Sequence, residues 1–150
     1  MKPVQDPSWS HYGDTLIELF DDGSLVLDVR EPIPRHKQEA LASSVLGREF
    51  AVLTAFNPHG RDHGAAENEQ RDRRLRAELT SRGLTWVCAD GWAPDRSHRE
   101  PGVAVATDRA TAQQIARSYE QSAIYWYEDG VIWLVGALVE APPERLPRKR

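Results

Sequence analysis

The 150-residue sequence is short of cysteine, of lysine and of long apolar runs, and each shortage excludes something. Cys88 is the only cysteine, so neither an internal disulfide nor a cysteine-built zinc site can form. No apolar run approaches the ~20 residues of a membrane-spanning helix. The longest, Val131 to Val139, has the length of a strand. The opening stretch MKPVQDPSWSHYGD lacks the apolar centre of a secretory signal. These features place the expected location in the cytoplasm, with no membrane partner. Also missing are a Gly-x-Ser-x-Gly elbow, a phosphate-cradling P-loop and a Gly-x-Gly-x-x-Gly turn. That argues against α/β-hydrolases, P-loop ATPases and Rossmann dehydrogenases, and leaves no cofactor to expect.

Lysine occurs only as Lys2, Lys37 and Lys149; the remaining cationic residues are arginines. The net charge is −4 and the isoelectric point about 5.7. That balance offers no general attraction for nucleic acid or an anionic membrane. Composition is otherwise that of a single globular domain, with 40% hydrophobic and 28% charged residues.

Periodicity divides the chain into a flexible arm over 1–12, one α+β domain over 13–140 and a disordered basic tail over 141–150. Two β-rich runs flank Asp22-Gly23, a strong hairpin signal because such turns need positive φ. EPIPR interrupts the pattern, and HKQEALASSVL follows with one or two helical turns. EFAVLTAF holds the continuous apolar run FAVL and reads as a buried central strand. AAENEQRDRRLRAELTSRG is the longest helical pattern, ending at a glycine C-cap. LTWVCA and VAVAT read as strands around the loop DGWAPDRSHREPG. DRATAQQIARSYEQ is a second amphipathic helix, and a second Asp-Gly hairpin closes the domain. From residue 50 the order is β-α-β-β-α-β-β. It matches a ferredoxin-like split βαβ plan: a mostly antiparallel sheet with two main helices on one face, extended by the N-terminal hairpin.

The chemistry concentrates where the central strand meets the long helix. Leu75 and Leu79 mark the helix's core-facing stripe. Continued backwards, that stripe reaches Arg71 and then Asn68 or Glu67, while Asn57 arrives at the same strand end. Asn57, Asn68 and Arg71 are therefore candidate ligand-binding residues, and the helix N-terminus there suits an anionic or nucleotide-like ligand. Glu67 and Glu100 are the candidate catalytic carboxylates. The same residues also have a structural reading: Glu67 and Arg71 can pair at i, i+4, and the asparagines can satisfy backbone. His59 and His63, with Asp62 and Glu67, have metal-capable side chains, but Gly60 and Gly64 argue against the helix that zinc spacing would need, so no metal is assigned. Cys88, in an apolar strand, reads as an inert buried thiol.

Several of these residues carry a resemblance. Thr54, Ala55, Asn57 and Pro58, then Glu67, Asn68 and Arg71, then Glu100-Pro101, then Gln121 and Ala123 together resemble a family of small uncharacterised bacterial proteins, domain of unknown function family 3293. The resemblance spans about residues 50–135 and implies no activity. The segment from His59 to His63 departs from it, since small hydroxyl residues are expected there.

Two functions remain open at this level. One is a site for a small anionic or nucleotide-like ligand. The other is a non-catalytic interaction or homodimerisation module. It would use the last hairpin, where alternation puts Tyr125 and Tyr127 on one face and Trp126 on the other.

Overall fold

A computed structural model describes residues 6–149. The first five residues of the expected arm, and Arg150 in the expected tail, lie outside them. Among the described residues, eight strands make one antiparallel sheet, accompanied by three α-helices. The strands are β1 (Leu16–Phe20), β2 (Ser24–Asp28), β3 (Glu49–Leu53), β4 (Thr85–Trp92), β5 (Arg99–Ala106), β6 (Ala123–Glu128), β7 (Val131–Gly136) and β8 (Glu144–Leu146). The helices are α1 (Arg35–Ala42), α2 (Ala65–Ser81) and α3 (Arg109–Ser118). Across the sheet the order is β2-β1-β4-β5-β3-β6-β7-β8.

Local chemistry accounts for the element ends. Both Asp-Gly pairs adopt positive φ, with Asp22 at 51° and Asp129 at 45°, and each turns an antiparallel hairpin. Gly83, at φ 70°, ends α2: its N–H donates to Thr80 O, and Leu84 N–H donates to Leu79 O. That is a Schellman cap, which a left-handed glycine makes cheaply. Asp108 caps α3 by accepting from Thr111 N–H at 2.7 Å.

The sheet is buried on both faces. α2 and α3 lie over one of them, where Leu75, Leu79, Ile115 and Ala116 pack on Leu53, Val103 and Trp126. On the other, Leu41 of α1 joins Ile17, Phe50, Tyr127 and Leu134. β3 serves both layers: Phe50 points into the second cluster, and Ala51 and Leu53 into the first. This is why its sequence is apolar without alternation.

Three segments differ from the sequence reading. The tail is not featureless, because Glu144–Leu146 pairs with β7 as an edge strand, and Leu146 is buried. The arm includes a short 3-10 turn at Trp9–Asp14 that Arg148 clamps, donating to Ser10 O at 2.7 Å and Trp9 O at 3.1 Å. β4 and β5 run further than LTWVCA and VAVAT, pairing from Thr85↔Ala106 to Trp92↔Arg99. Pro101 suggested a loop there. It is tolerated because β3 stops pairing at Leu53↔Val103, so β5 has a strand neighbour on one side only.

Candidate functional site

Side-chain alternation along β5 puts Gly102 and Ala104 on the face opposite α2 and α3, and Glu100 shares it. Glu100 therefore points away from the long helix, into a cavity of about 420 Å³. The sheet supplies the cavity floor, including Ile17, Val52, Gly91 and Tyr125. The N-terminal segment supplies one wall through Ser8, His11 and Tyr12, and the loop at Asn57–Gly60 supplies another. Trp92 and His98 stand where β4 and β5 end.

Glu100 keeps 28% of its side chain exposed. Its hydrogen-bond support is thin: Asn57 Nδ2 donates to Oε2 at 3.4 Å, and His98 Nε2 lies 4.0 Å away. Burial pushes its carboxyl up from 4.5 to about 7; the nearby Asp6 charge adds to the rise, and the Asn57 and Thr54 side chains oppose it. The neighbouring phenols are also held protonated. Tyr12, half-buried and bonded to Asp6, is raised well above its ordinary value. So is Tyr125, whose hydroxyl bonds Thr15 Oγ1 at 2.9 Å and the Tyr12 carbonyl.

The expected residues separate into three places. Asn57 and Asn68 meet directly: Asn68 Oδ1 accepts from Asn57 N–H at 2.8 Å, and Asn68 Nδ2 donates to Asn57 Oδ1 at 2.7 Å. Asn57 sits in the left-handed region at φ 48°, a conformation asparagine tolerates well. Arg71 lies behind this pair and donates to two carbonyls, Ala55 O at 3.3 Å and Tyr119 O at 3.0 Å. It also pairs with Glu120 at 3.5 Å rather than with Glu67. Glu67 is outside the cavity wall, half-exposed, and reaches His63 Nδ1 at 3.4 Å. Glu67 and Glu100 thus do not form one carboxylate pair. Gln121 completes the junction by donating to Phe56 O at 3.0 Å and Tyr119 O at 3.1 Å.

His59 pairs with Glu120 at 3.1 Å, apart from His63. Among the described residues, no group of three or more His, Cys, Asp or Glu side chains is placed to hold a metal ion. Cys88 is half-buried rather than enclosed, with Arg76 Nη1 2.9 Å from its sulfur. The last hairpin does not present an aromatic face to solvent. Trp126 is buried under the helices, while Tyr127 is buried on the opposite side and stacks on Phe50 at 4.6 Å. The alternation is legible in the sequence. The burial of both faces is not.

The residues that sequence reasoning missed are Tyr12, Trp92 and Tyr125 as cavity walls. Only the pairing of distant strands brings them together, and no local spacing signals it.

Residues 53–124 match the model of a family described as a protein of unknown function (DUF3293), and the match supports membership of that family over this segment. No curated protein and no solved structure matches the chain. The matched segment contains Thr54, Asn57, Asn68, Arg71, Glu100 and Gln121, whereas the outer walls Tyr12 and Tyr125 lie beyond it. Among the described residues, no helix is long and apolar enough to cross a membrane.

Proposed function

We propose that the cavity beside Glu100 binds a small organic molecule and that Glu100 exchanges a proton with it. One observation carries this reading: a carboxyl raised to about 7 stands in a cavity of about 420 Å³ with no lysine or arginine in its wall among the described residues. A group that titrates near neutrality can serve as acid or base there. The cavity lies within the ~300–1,000 Å³ common for ligand sites. Asn57 orients the carboxyl, and Asn68 orients Asn57. Arg71, the residue that pointed towards an anionic or nucleotide-like ligand, is engaged with backbone carbonyls, which weakens that choice. The strand order β4-β5-β3-β6, with helices after β3 and β5, supports a split βαβ core of the ferredoxin-like kind.

Fragment screening by amide NMR tests the reading. Hits are expected to shift the amides of Ala89, Gly91 and Gly102, and to lose that effect in Gly91→Val. A Cβ at Gly91 meets nothing closer than Thr15 Cγ2 at 3.7 Å, so the variant is expected to fold with its side chain filling the floor. Hits that map away from these amides, or a library that shifts none of them, would refute the reading.

A further inference from the structure

We propose that the molecule taken by this cavity is a small organic cation, an amine or amidine with an apolar body, whose head meets the Glu100 carboxylate. The inference rests on the cavity being a ligand site and adds the ligand's charge and shape.

The charges facing Glu100 are one-sided. Asp6 approaches from the N-terminal segment, and Asp14 stands in the wall. Among the described wall residues only His98, from the β4–β5 loop, and His11 can become positive, and His98 is 68% exposed. The nearest arginines, Arg96 stacked 5.0 Å over the Trp92 ring and Arg148 acting on Tyr125, stand outside that wall. An anion entering here would therefore meet carboxylates first, whereas a cation would supply a counter-charge beside Glu100.

The donors are one-sided too. Tyr12 donates its hydroxyl hydrogen bond to Asp6, and Tyr125 bonds away from Glu100 towards Thr15 and the Tyr12 carbonyl. Thr54 donates to Pro101 O at 2.7 Å. Asn57, at 3.4 Å, is then the side-chain donor bonded to the carboxylate, with the Thr54 hydroxyl close by but turned to Pro101 O. Carboxylate oxygens offer about four acceptor positions between them, and a head group rich in N–H donors would fill the vacant ones.

Shape agrees with charge. The wall beyond the carboxyl is apolar and aromatic, through Ile17, Val52, Leu134 and Trp92. Trp92 is held in place by its Nε1–H bond to Glu18 at 3.0 Å. Binding a cation requires the Glu100 carboxyl to ionise, so affinity is expected to rise with pH through neutrality.

The test uses three probes of nearly one shape and different charge: benzamidine, benzamide and benzoate. Each is titrated into the full chain, followed by calorimetry and by the Gly91 amide. Benzamidine is expected to bind about tenfold more tightly than benzamide, and to gain roughly severalfold between about pH 6 and about pH 8. Benzoate is expected not to bind. Glu100→Gln is expected to remove the preference for benzamidine while leaving benzamide within about twofold, because the amide keeps the shape and loses the charge. Benzoate or benzamide binding as tightly as benzamidine, or full benzamidine affinity in Glu100→Gln, overturns the cation assignment and leaves the cavity reading standing. If no probe shifts the Gly91 amide, and Gly91→Val changes no titration, the cavity reading falls and the cation with it.

Discussion

Asn68 holds Asn57 at two points, its Oδ1 accepting the Asn57 backbone N–H at 2.8 Å and its Nδ2 donating to the Asn57 side chain at 2.7 Å. Asn68 is almost fully buried at the start of α2. Through this double contact the first turns of α2 set the conformation of the residue that touches Glu100. Asn68→Asp keeps the acceptor and loses the donor, placing a carboxylate beside the Asn57 side-chain Oδ1. A loss of about 1–3 kcal/mol is expected in urea unfolding. A loss below about half a kcal/mol would remove the clamp role.

Arg71 is expected to act as a structural staple. Arg71→Ala would strand the carbonyls of Ala55 and Tyr119, at a cost on the order of 2–3 kcal/mol. Arg71→Lys is expected to recover little of it, because one ammonium does not reproduce the forked geometry. Chemical denaturation of both variants settles the point; a fully stable Arg71→Ala would return this residue to the ligand-binding candidates.

The pH dependence of stability has a definite sign. Glu100 ordinarily titrates at 4.5 and here at about 7, so the folded state favours its neutral form. That contribution is full below about pH 4.5 and is lost as the pH rises through about 7. Glu100→Gln removes the penalty of charging. Relative to wild type, the variant is expected to gain on the order of 2 kcal/mol between about pH 5 and about pH 8. Urea unfolding of the two proteins at both pH values measures the gain, and a flat difference would contradict the raised carboxyl.

Arg148 joins the last strand's exit to the N-terminal segment through the Trp9 and Ser10 carbonyls. Arg148→Ala is expected to release that segment locally, at about 1–2 kcal/mol, without unfolding the sheet. Hydrogen exchange over residues 8–14 would speed up while β3 and β5 stay protected. Unchanged exchange there would mean that the clamp contributes nothing.

Trp126 is 3% exposed beneath α3. Trp126→Ala is expected to destabilise the fold by about 3–5 kcal/mol, as core truncations do, and to leave the oligomeric state of the folded fraction unchanged. A stable variant with an altered elution volume would instead favour an interface at this hairpin.

Most of the elements are legible in the sequence. Asp22-Gly23 and Asp129-Gly130 announce their hairpins because positive φ is costly for most other residues. The Leu75–Leu79 stripe announces the buried face of α2, and the unbroken EFAVL announces a strand buried on both sides. The same stripe, drawn backwards, marks Asn68 and Arg71 as inward-facing, and both are. It does not separate them from Glu67, since 67 and 68 are both compatible with a line drawn back from Leu75. What decides is packing: Asn68 is 4% exposed and bonded to Asn57, while Glu67 is turned outwards to His63.

Glu100 shows the limit most clearly. Its neighbours in the chain point to a loop, because Pro101 and Gly102 follow it and the string before it is rich in turn residues. Its strand exists because β4 lies alongside, and the direction of its side chain follows from register with a partner nine residues earlier, Gly91. The sequence by itself determined the hairpins, the helices, the capped ends, the lone cysteine and the charge balance. Each of these follows from residues near one another in the chain. The cavity was decided only by tertiary structure. Its walls come from residues 8 to 134, and its carboxyl is raised by being enclosed among them.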